Sequence, residues 1–441
     1  MNSAINSYYQ VQLQFKFRRE ISFVLLIVGV VCLMVTKPLA VKFLMQSHRI
    51  FARPLIIAII LKYNLLSEES ISGMYTASVN LEGAAGRSII LKFPEVNSEG
   101  VVQKGVVVIA FTKTFGFYLK QIDVARLTRY FHIVLEPSWS GYMDADIVGW
   151  ISKTENTVYV QATELCDRIT IESLGSNLKA LSFGASDWVD FESFKPENVH
   201  KEYDSVYVAN TNPIKRIVRY FKAIEKIKLQ YPDYKGCLVC AKWGSGSVDD
   251  INALAKHFDI ESNVEIMFSL RKSRLKTVLS KSKVNILLSF KEGSNRSLFE
   301  SMFVNIPVIC LSENIGSNKS YFNEHTGMLV PDRFLERALV GMIDKWDTYS
   351  PCEWAMKNIS PRVTTAKLAA VISNNSGGSP IEDIYSKVNN PELSYFDHKA
   401  VNYKPINAQL LSLFLSDNTA SFSVDALRRL GEDFDRLLNE E

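Results

Sequence analysis

The sequence predicts an α/β protein with two Rossmann-like domains. Beyond residue 85, short runs rich in Val, Ile and Leu alternate with longer amphipathic stretches, and 105–111 and 236–241 are typical of these runs. Near-continuous apolar strands between helices indicate parallel sheets that are covered on both faces. The strand candidates fall into two groups, which a polar stretch beginning at Phe194-Lys195-Pro196 separates.

The predicted organisation has four parts. We expect a basic, apolar, membrane-associated segment over 1–62, an N-terminal Rossmann-like domain over 85–196, a C-terminal Rossmann-like domain over 203–373 and a weakly patterned tail over 381–441. Ligands of such sheets bind at the carboxyl ends of the strands, so the functional residues are expected in the loops that follow them.

Composition excludes several classes of protein. The 441 residues are 47% hydrophobic and 22% charged, which excludes wholesale disorder and fibrous repeats. The net charge is +3, yet residues 1–62 hold eight Lys or Arg and one acidic residue, Glu20. The rest of the chain is therefore mildly acidic, which argues against a nucleic-acid partner. The basic, apolar segment over 1–62 instead favours contact with an anionic membrane surface.

The apolar run over 21–36 has three interpretations. It is uncharged and lies between basic residues, as a short membrane anchor or a helix in the bilayer interface would. A cleaved signal peptide is the third, although no small-residue cleavage site is evident. The distribution of Lys and Arg around the run places the body of the protein on the cytoplasmic side.

One motif has the chemistry of a phosphate and sugar site. After the apolar strand at 284–290, Glu292 and Glu300 stand eight residues apart, with Gly293–Arg296 between them. A loop that opens a helix offers free backbone N–H groups to a phosphate. We expect the positive helix end to keep Glu300 ionised, so that it accepts both hydroxyls of a ribose.

These residues resemble a known family. The spacing Glu292-x7-Glu300, followed by Asn-Ile-Pro-Val-Ile-Cys over 305–310 and by Gly316, is similar to the signature of the retaining glycosyltransferases of family 4, which have the GT-B fold. Lys215, upstream, matches the position of the family lysine. The resemblance covers about residues 180–370.

The resemblance implies a role for each matched residue. Glu300 would bind the ribose of the donor. Glu292 and Lys215 would be the catalytic residues, with Glu292 binding the hydroxyls of the donor sugar and Lys215 the diphosphate leaving group. The backbone and side chains of Gly293, Ser294, Asn295, Arg296 and Ser297 would cradle the phosphates and the sugar, with Gly316 beside them. The family needs no metal or other cofactor, because the nucleotide sugar is a substrate and protein cations meet the charge of the leaving group.

One position departs from the family pattern. The family arginine is Asn210 here, which removes one of two cations from the phosphate site. Either Arg216, Arg271, Lys272 or Arg296 supplies that charge instead, or activity is reduced.

Three weaker patterns leave alternatives open. Lys113, Trp139 and Tyr142 follow strands of the N-terminal domain, where they either contact an acceptor or pack in turns. Asp144 and Asp146 have the spacing of a metal-binding pair of aspartates, but such pairs are common by chance. Cys237 and Cys240 fall in one apolar strand and lack further ligands, so we interpret them as buried cysteines and expect no metal site.

The function expected from these patterns is a metal-independent, retaining glycosyltransferase. It would move a hexose from a nucleotide-diphosphate sugar, UDP-sugar favoured, to a glycan or lipid-linked acceptor at the membrane, in polysaccharide biosynthesis. The alternative, motivated by Asn210, is a weakly active or inactive scaffold of the same fold that binds nucleotide sugars.

Overall fold

The chain forms two compact units, each built from two separate stretches of sequence. The computed structural model describes residues 2–76, 78–96, 101–242, 246–377, 380–390, 393–396, 401–417 and 422–439. Residues Met1–Phe17 and Val189–Val363 form one unit, here called the six-stranded unit. Residues Arg18–Trp188 and Thr364–Glu441 form the other, the five-stranded unit.

Helices and strands alternate through most of the described chain. The helices are α1 Asn2–Lys16, α2 Arg18–Cys32, α3 Lys37–Ile50, α4 Pro54–Lys62, α5 Glu68–Ile71, α6 Leu81–Ala85, α7 Thr112–Gln121, α8 Val124–Tyr130, α9 Ala145–Val148, α10 Trp150–Lys153, α11 Leu165–Ser173, α12 Ile217–Ile227, α13 Val248–His257, α14 Lys272–Ser280, α15 Arg296–Phe303, α16 Leu335–Ile343, α17 Pro351–Asn358, α18 Pro361–Asn375, α19 Lys404–Leu413 and α20 Val424–Asn439. The strands are β1 Ser88–Lys92, β2 Glu95–Val96, β3 Val102–Gln103, β4 Gly105–Ala110, β5 Phe131–Glu136, β6 Val158–Gln161, β7 Leu178–Leu181, β8 Ser205–Asn210, β9 Gly236–Ala241, β10 Val264–Phe268, β11 Asn285–Leu287, β12 Val308–Leu311, β13 Gly327–Val330, β14 Lys387–Asn390 and β15 Leu393–Tyr395.

The six-stranded unit has a fully parallel sheet with the order β10-β9-β8-β11-β12-β13. Successive side chains of its strands enter two different apolar clusters, one on each face of the sheet, which explains the unbroken hydrophobic runs in the sequence. The chain order reverses between β8 and β11. A crevice outside the carboxyl ends of those two strands is where doubly wound sheets bind ligands.

The five-stranded unit has a simpler sheet, with the order β1-β4-β5-β6-β7. Strands β4 to β7 are parallel and follow the chain in one direction, while β1 pairs antiparallel with β4 at one edge. The expectation of a Rossmann-like domain is met in its parallel strands and covering helices. The topology differs from that expectation, because the order of the described strands in this sheet does not reverse.

The predicted tail over 381–441 is part of the core of the five-stranded unit. Leu410 from α19, Phe414 directly after it, and Leu427 and Phe434 from α20 are buried in the same cluster as the sheet. Their spacing places apolar side chains on one face of each helix, which needs a partner surface to leave water. Helix α18 contributes Leu368 and Ile372 to that core.

The predicted segment 1–62 is divided between the two units. Helix α1 belongs to the six-stranded unit, whereas α2, α3 and α4 belong to the five-stranded unit. The predicted domain boundary near residue 196 also moves, because Val189 and Phe194 are buried in the core of the six-stranded unit. These boundaries depend on which core each apolar side chain is buried in, and the local composition does not reveal that.

Helices α2 and α3 form a hairpin. Helix α2 ends at Cys32, and the Thr36 hydroxyl caps α3 by accepting a hydrogen bond from the Leu39 amide at 3.4 Å. Ser22 and Ser47 join the two helices, their hydroxyl oxygens 3.0 Å apart. Among the described residues, none of the helices combines the length and apolar character needed to cross a bilayer.

Candidate functional site

Two loops meet at the switch point of the six-stranded sheet. Lys215 follows β8 and Glu292 follows β11, the two strands between which the order reverses. The Lys215 Nζ atom donates hydrogen bonds to both carboxylate oxygens of Glu292, at 2.6 and 2.7 Å. Both side chains are largely buried, with 15% and 6% of their surfaces exposed. The two residues predicted to be catalytic therefore form one ion pair.

The backbone around Lys215 is held by local caps. Residues Pro213–Lys215 form a single 3₁₀ turn, whose first free amide, that of Ile214, donates to the Asn212 side chain at 3.0 Å. The buried hydroxyl of Tyr207 donates to the carbonyl of Lys215. Burial, followed by the nearby charge of Glu292, raises the pKa of Tyr207 well above its usual value, so the hydroxyl keeps its proton and remains a donor.

The Glu292 carboxylate is held by a second set of contacts. Ser289 Oγ donates to Glu292 Oε1 at 2.6 Å, and the Glu292 amide donates to the Ile315 carbonyl at 2.8 Å. Asn314 Nδ2 in turn donates to the Ser289 carbonyl at 2.8 Å. The loop after β12 therefore supports the loop after β11, and Gly316 lies directly over the Glu292 backbone with φ 113°.

Arg216 does not replace the missing family arginine. Its side chain is fully buried and donates to the Leu288 carbonyl at 3.1 Å and to Asp332. Asp332 also accepts a hydrogen bond from Arg219 Nε at 2.6 Å. Burial alone would raise the pKa of Asp332, but the two arginines outweigh it and hold that pKa below its usual range. The Arg216 side chain therefore binds partners inside the six-stranded unit, which corrects the expectation that it binds phosphate.

Helix α15 begins where the sequence predicted an anion site. Asn295 caps it, with its Oδ1 atom accepting from the Leu298 amide at 3.3 Å and from Ser297 Oγ at 2.8 Å. The amides of Arg296 and Ser297 have no acceptor in the described part of the chain. Gly293 and Ser294 are partly exposed in the loop before the cap. A single phosphate oxygen could accept from both amides at the positive end of the helix.

Glu300 is placed for a ligand, and its pKa is shifted in the direction opposite to the one that the helix end favours. Burial raises the pKa of its carboxyl group above the usual value, and the charges of Arg296 and Lys272 offset this only in part. Desolvation therefore outweighs the favourable charges, so this carboxyl group is harder to ionise than an exposed glutamate. That Glu300 is ionised when it binds a ribose stays a prediction. The carboxyl group has no hydrogen-bond partner among the described residues, so its oxygens are available to hydroxyl groups.

The remaining predicted cations differ in their availability. Arg271 and Arg296 are exposed and form no ion pair within the described ranges, whereas Lys272 donates to Asp190 at 2.7 Å. Asn210 uses its side-chain oxygen to accept from the Asn212 amide at 3.1 Å and so shapes the turn before Lys215. Arg271 and Arg296 are the two candidates left to supply the missing charge.

The residues that support this pair are not recognisable from the sequence. Tyr207, Ser289, Asn314 and Asp332 carry no motif, and each acts through a loop that folding brings close. The one sequence signal is local: Ser289 precedes Glu292 by three residues, within reach of a turn.

The predicted acceptor residues of the five-stranded unit separate into two groups. Lys113, in the first turn of α7, and Trp139, after β5, are exposed at the carboxyl end of the sheet. Tyr142 is buried, and its hydroxyl donates to the Gln161 carbonyl at 2.7 Å. Tyr142 therefore packs in the turn, which corrects its expected exposure to an acceptor.

A buried ion pair at the same sheet edge was not anticipated. Lys387, from β14, donates to Glu136 at the end of β5 at 2.7 Å, with the lysine side chain fully buried. It ties the C-terminal segment to the sheet.

The candidate metal and zinc patterns have structural roles. The carboxylate of Asp144 accepts from the Asp146 amide at 3.0 Å, and that of Asp146 accepts from the Thr76 amide at 2.8 Å. Cys237 and Cys240 are buried in β9, as predicted. The described residues include no group of three or more His, Cys, Asp or Glu side chains that could hold a metal ion.

Gly316→Ala tests how tightly the loop over Glu292 is packed. A Cβ atom at this position would lie 2.0 Å from the Glu292 carbonyl oxygen, in a backbone region that alanine avoids. We expect a loss of about 2 kcal/mol or more in the free energy of unfolding, measured by urea denaturation.

Gly341→Ala is the matched control, because nothing lies within 4 Å of its Cβ position in α16. This substitution should be neutral or stabilise the protein by about 0.5–1 kcal/mol. Equal stability of the two variants would contradict the packing described for Gly316.

The segment of the chain that holds these residues is similar to a family of known proteins. The family described as Glycosyl transferases group 1 matches residues 189–350, which include Lys215, Glu292 and Glu300. No protein of curated function matches the sequence.

Several solved structures are distantly similar. Sucrose-phosphate synthase from Thermosynechococcus elongatus is 15% identical, with 62% of this chain and 74% of that one covered and a TM-score of 0.48. HepE of Anabaena, solved with UDP and glucose, is 13% identical, with coverages of 60% and 77% and a TM-score of 0.47. A TarM variant from S. aureus, solved with fondaparinux, alpha-GlcNAc-glycerol and UDP, is 14% identical with a TM-score of 0.41. This chain spans 59% of the TarM chain.

The family match and the glutamate motif agree on one segment of the chain, because residues 189–350, which match the group 1 glycosyltransferase family, include both glutamates.

Proposed function

We propose that the protein is a retaining, metal-independent glycosyltransferase. It moves a hexose from a nucleotide-diphosphate sugar to a glycan or lipid-linked acceptor at a membrane surface, and UDP-sugar is the donor that the family resemblance favours. The observation that carries the proposal is the Lys215–Glu292 ion pair at the switch point of a parallel sheet, within the group 1 domain.

The ion pair retains hydrogen-bonding capacity for a donor. A lysine ammonium has three N–H groups, and Lys215 gives two of them to Glu292. Glu292 Oε2 accepts one described hydrogen bond, so it can accept another from a sugar hydroxyl. One ligand can therefore bind both residues, with a phosphate oxygen on Lys215 and a sugar hydroxyl on Glu292, without breaking the pair.

The reaction needs positive charge at the leaving group. As the bond between the anomeric carbon and the diphosphate oxygen breaks, the sugar becomes oxocarbenium-like and negative charge grows on the nucleotide. We assign the stabilisation of that charge to Lys215 and to the amides of Arg296 and Ser297, an effect worth about 2.7–4 kcal/mol for one well-placed donor. Exposed Arg271 and Arg296 are the side chains we assign to the charge that Asn210 lacks.

Donor binding and turnover test the proposal together. Thermal stability of the full chain is measured with UDP, GDP and ADP and with their sugar conjugates, and donor hydrolysis and transfer are followed with and without EDTA. We expect one nucleotide to raise the melting temperature, and Lys215→Ala and Glu300→Ala to abolish that rise. Lys256→Ala, an exposed lysine on α13, is the control that should behave as the wild type.

Each result decides between alternatives. Binding without turnover across acceptors would favour the scaffold, and loss of activity in EDTA would contradict metal independence. No stabilisation by any nucleotide, in a folded protein, would overturn the donor site.

Glu300 predicts a pH dependence of donor binding. Because burial raises its pKa, Glu300 takes up a proton at a higher pH than an exposed glutamate does. The ribose hydroxyls bind the carboxylate form, so donor affinity should fall as the pH is lowered through that raised pKa and recover above it. Glu300→Gln should weaken binding and flatten the profile in calorimetric titrations, whereas Glu353→Gln, on exposed α17, should change neither. An unchanged profile in Glu300→Gln would contradict this role.

The hairpin of α2 and α3 supports the membrane part of the proposal. Phe23, Val24, Ile27 and Val31 form an exposed apolar face on α2, which continues into Met34 and Val35 at the turn, 89% and 70% exposed. At the other end of the hairpin, the guanidinium groups of Arg18, Arg19 and Arg53 lie 5.9, 5.1 and 5.0 Å from the centroid of the Phe51 ring. An apolar face beside a basic cluster suits an anionic lipid surface.

Vesicle flotation tests this surface. The full chain should float with vesicles of phosphatidylcholine and phosphatidylglycerol, and less with phosphatidylcholine alone. Val31→Asp combined with Met34→Asp should weaken binding at least about tenfold, because each apolar side chain contributes roughly 1.5–3 kcal/mol when buried. Leu165→Asp, at an exposed apolar position on α11, should bind as the wild type does. Equal flotation of the double variant would contradict a lipid contact at the hairpin.

A further inference from the structure

Helix α1 packs on the rest of the six-stranded unit, which carries the donor site. In sequence, residues 18–188, which belong to the five-stranded unit, separate α1 from the rest of the six-stranded unit. Ile5, Tyr8 and Phe15 share one face of the helix, and Tyr8 is buried in the cluster that lies against one face of the six-stranded sheet. Lys222 on α12 donates to the Tyr9 hydroxyl at 2.7 Å. The helix is therefore an integral part of the six-stranded unit.

Phe15 contacts the loop that precedes Glu292. Its ring is parallel to that of Phe290, with a centroid separation of 4.0 Å and an interplanar angle of 5°. The Arg216 guanidinium carbon lies 3.9 Å from the centroid of the same Phe290 ring. Both distances are too short for an approach at the ring edge. Phe15 and Arg216 therefore cover opposite faces of Phe290 and form a three-layer stack.

The stack joins the two loops of the ion pair. Arg216 directly follows Lys215, and Phe290 precedes Glu292 by two residues. Arg216 also adopts a left-handed backbone conformation, with φ 58°, at the start of α12, and it donates to the Leu288 carbonyl just before Phe290. A shift of Phe290 would therefore move both ends of the Lys215–Glu292 contact.

We propose that Phe15 is a positioning residue for the Lys215–Glu292 pair. By covering the face of Phe290 opposite Arg216, it holds the Arg216–Phe290 contact in place, and the N-terminal helix thereby completes the donor site. This inference rests on the proposed function, because it assigns a role in that reaction. Errors of about 1 Å in the position of reacting groups can cost about a hundredfold in rate, so a residue that only supports the pair can have a large effect.

Phe15→Ala in the full chain tests the proposal. We expect kcat to fall roughly tenfold or more, with a smaller change in KM for the donor, since the pair acts on the charge that develops during reaction. Phe15→Tyr keeps the ring and should restore activity. Phe17→Ala is the matched control, because Phe17 is exposed and its one described ring contact is with neighbouring Lys16.

Phe15→Leu separates positioning from folding. It keeps an apolar side chain on the helix but removes the parallel ring, so we expect a melting temperature close to that of the wild type together with the reduced kcat. Wild-type kcat in folded Phe15→Ala and Phe15→Leu would overturn the proposal, as would equal losses in Phe15→Ala and Phe17→Ala.

Two readouts distinguish this inference from the proposed function. Donor turnover and nucleotide-induced stabilisation by the wild type establish whether the donor site works at all. If the wild type shows neither, the proposed function fails and the role of Phe15 fails with it. If the wild type shows both and the Phe15 variants match it, only the positioning role is overturned.

Discussion

The ion pair between Lys215 and Glu292 is the constraint around which the six-stranded unit is organised. Removing two charges from water costs several kcal/mol per ion, and a close pair returns that cost only when its geometry is good and its other hydrogen bonds are satisfied. Ser289 and Tyr207 supply those supports, and Asn314 supports Ser289 in turn. A buried pair is weak evidence for stability, so its position at the carboxyl edge of the sheet is better explained by ligand binding.

Each unit includes a terminal segment that is distant in sequence from the rest of that unit. The six-stranded unit takes α1 from the N-terminus, and the five-stranded unit takes α18, α19 and α20 from the C-terminal part. These C-terminal helices extend the core of the five-stranded unit, because residues such as Phe434 are buried in the same apolar cluster as its sheet. Both terminal regions are therefore structural parts of the units that they join.

Much of the fold could be predicted because local pattern and tertiary environment agree. The hydrophobic runs over 178–181, 236–241, 264–268 and 308–311 predict strands with the bounds that β7, β9, β10 and β12 have, since buried parallel strands need apolar side chains on both faces. Strand β13 was missed because Gly327–Val330 is short and begins with a glycine, at φ 143°. Strand β1 was missed because an antiparallel edge strand before the main alternation has no neighbouring helix pattern to reveal it.

Taken alone, the sequence determined the parallel α/β character, the glutamate motif and the match of Lys215, because these depend on residue type and on short spacings. Tertiary structure decided which charges remain available. Arg216 and Lys215 are adjacent in sequence, yet one is buried against Asp332 and the other faces Glu292, since the left-handed turn at Arg216 sends their side chains to different partners. Burial likewise raises the pKa of Glu300, although the helix end alone would lower it. Charge availability depends on long-range contacts and desolvation, which a linear sequence does not display.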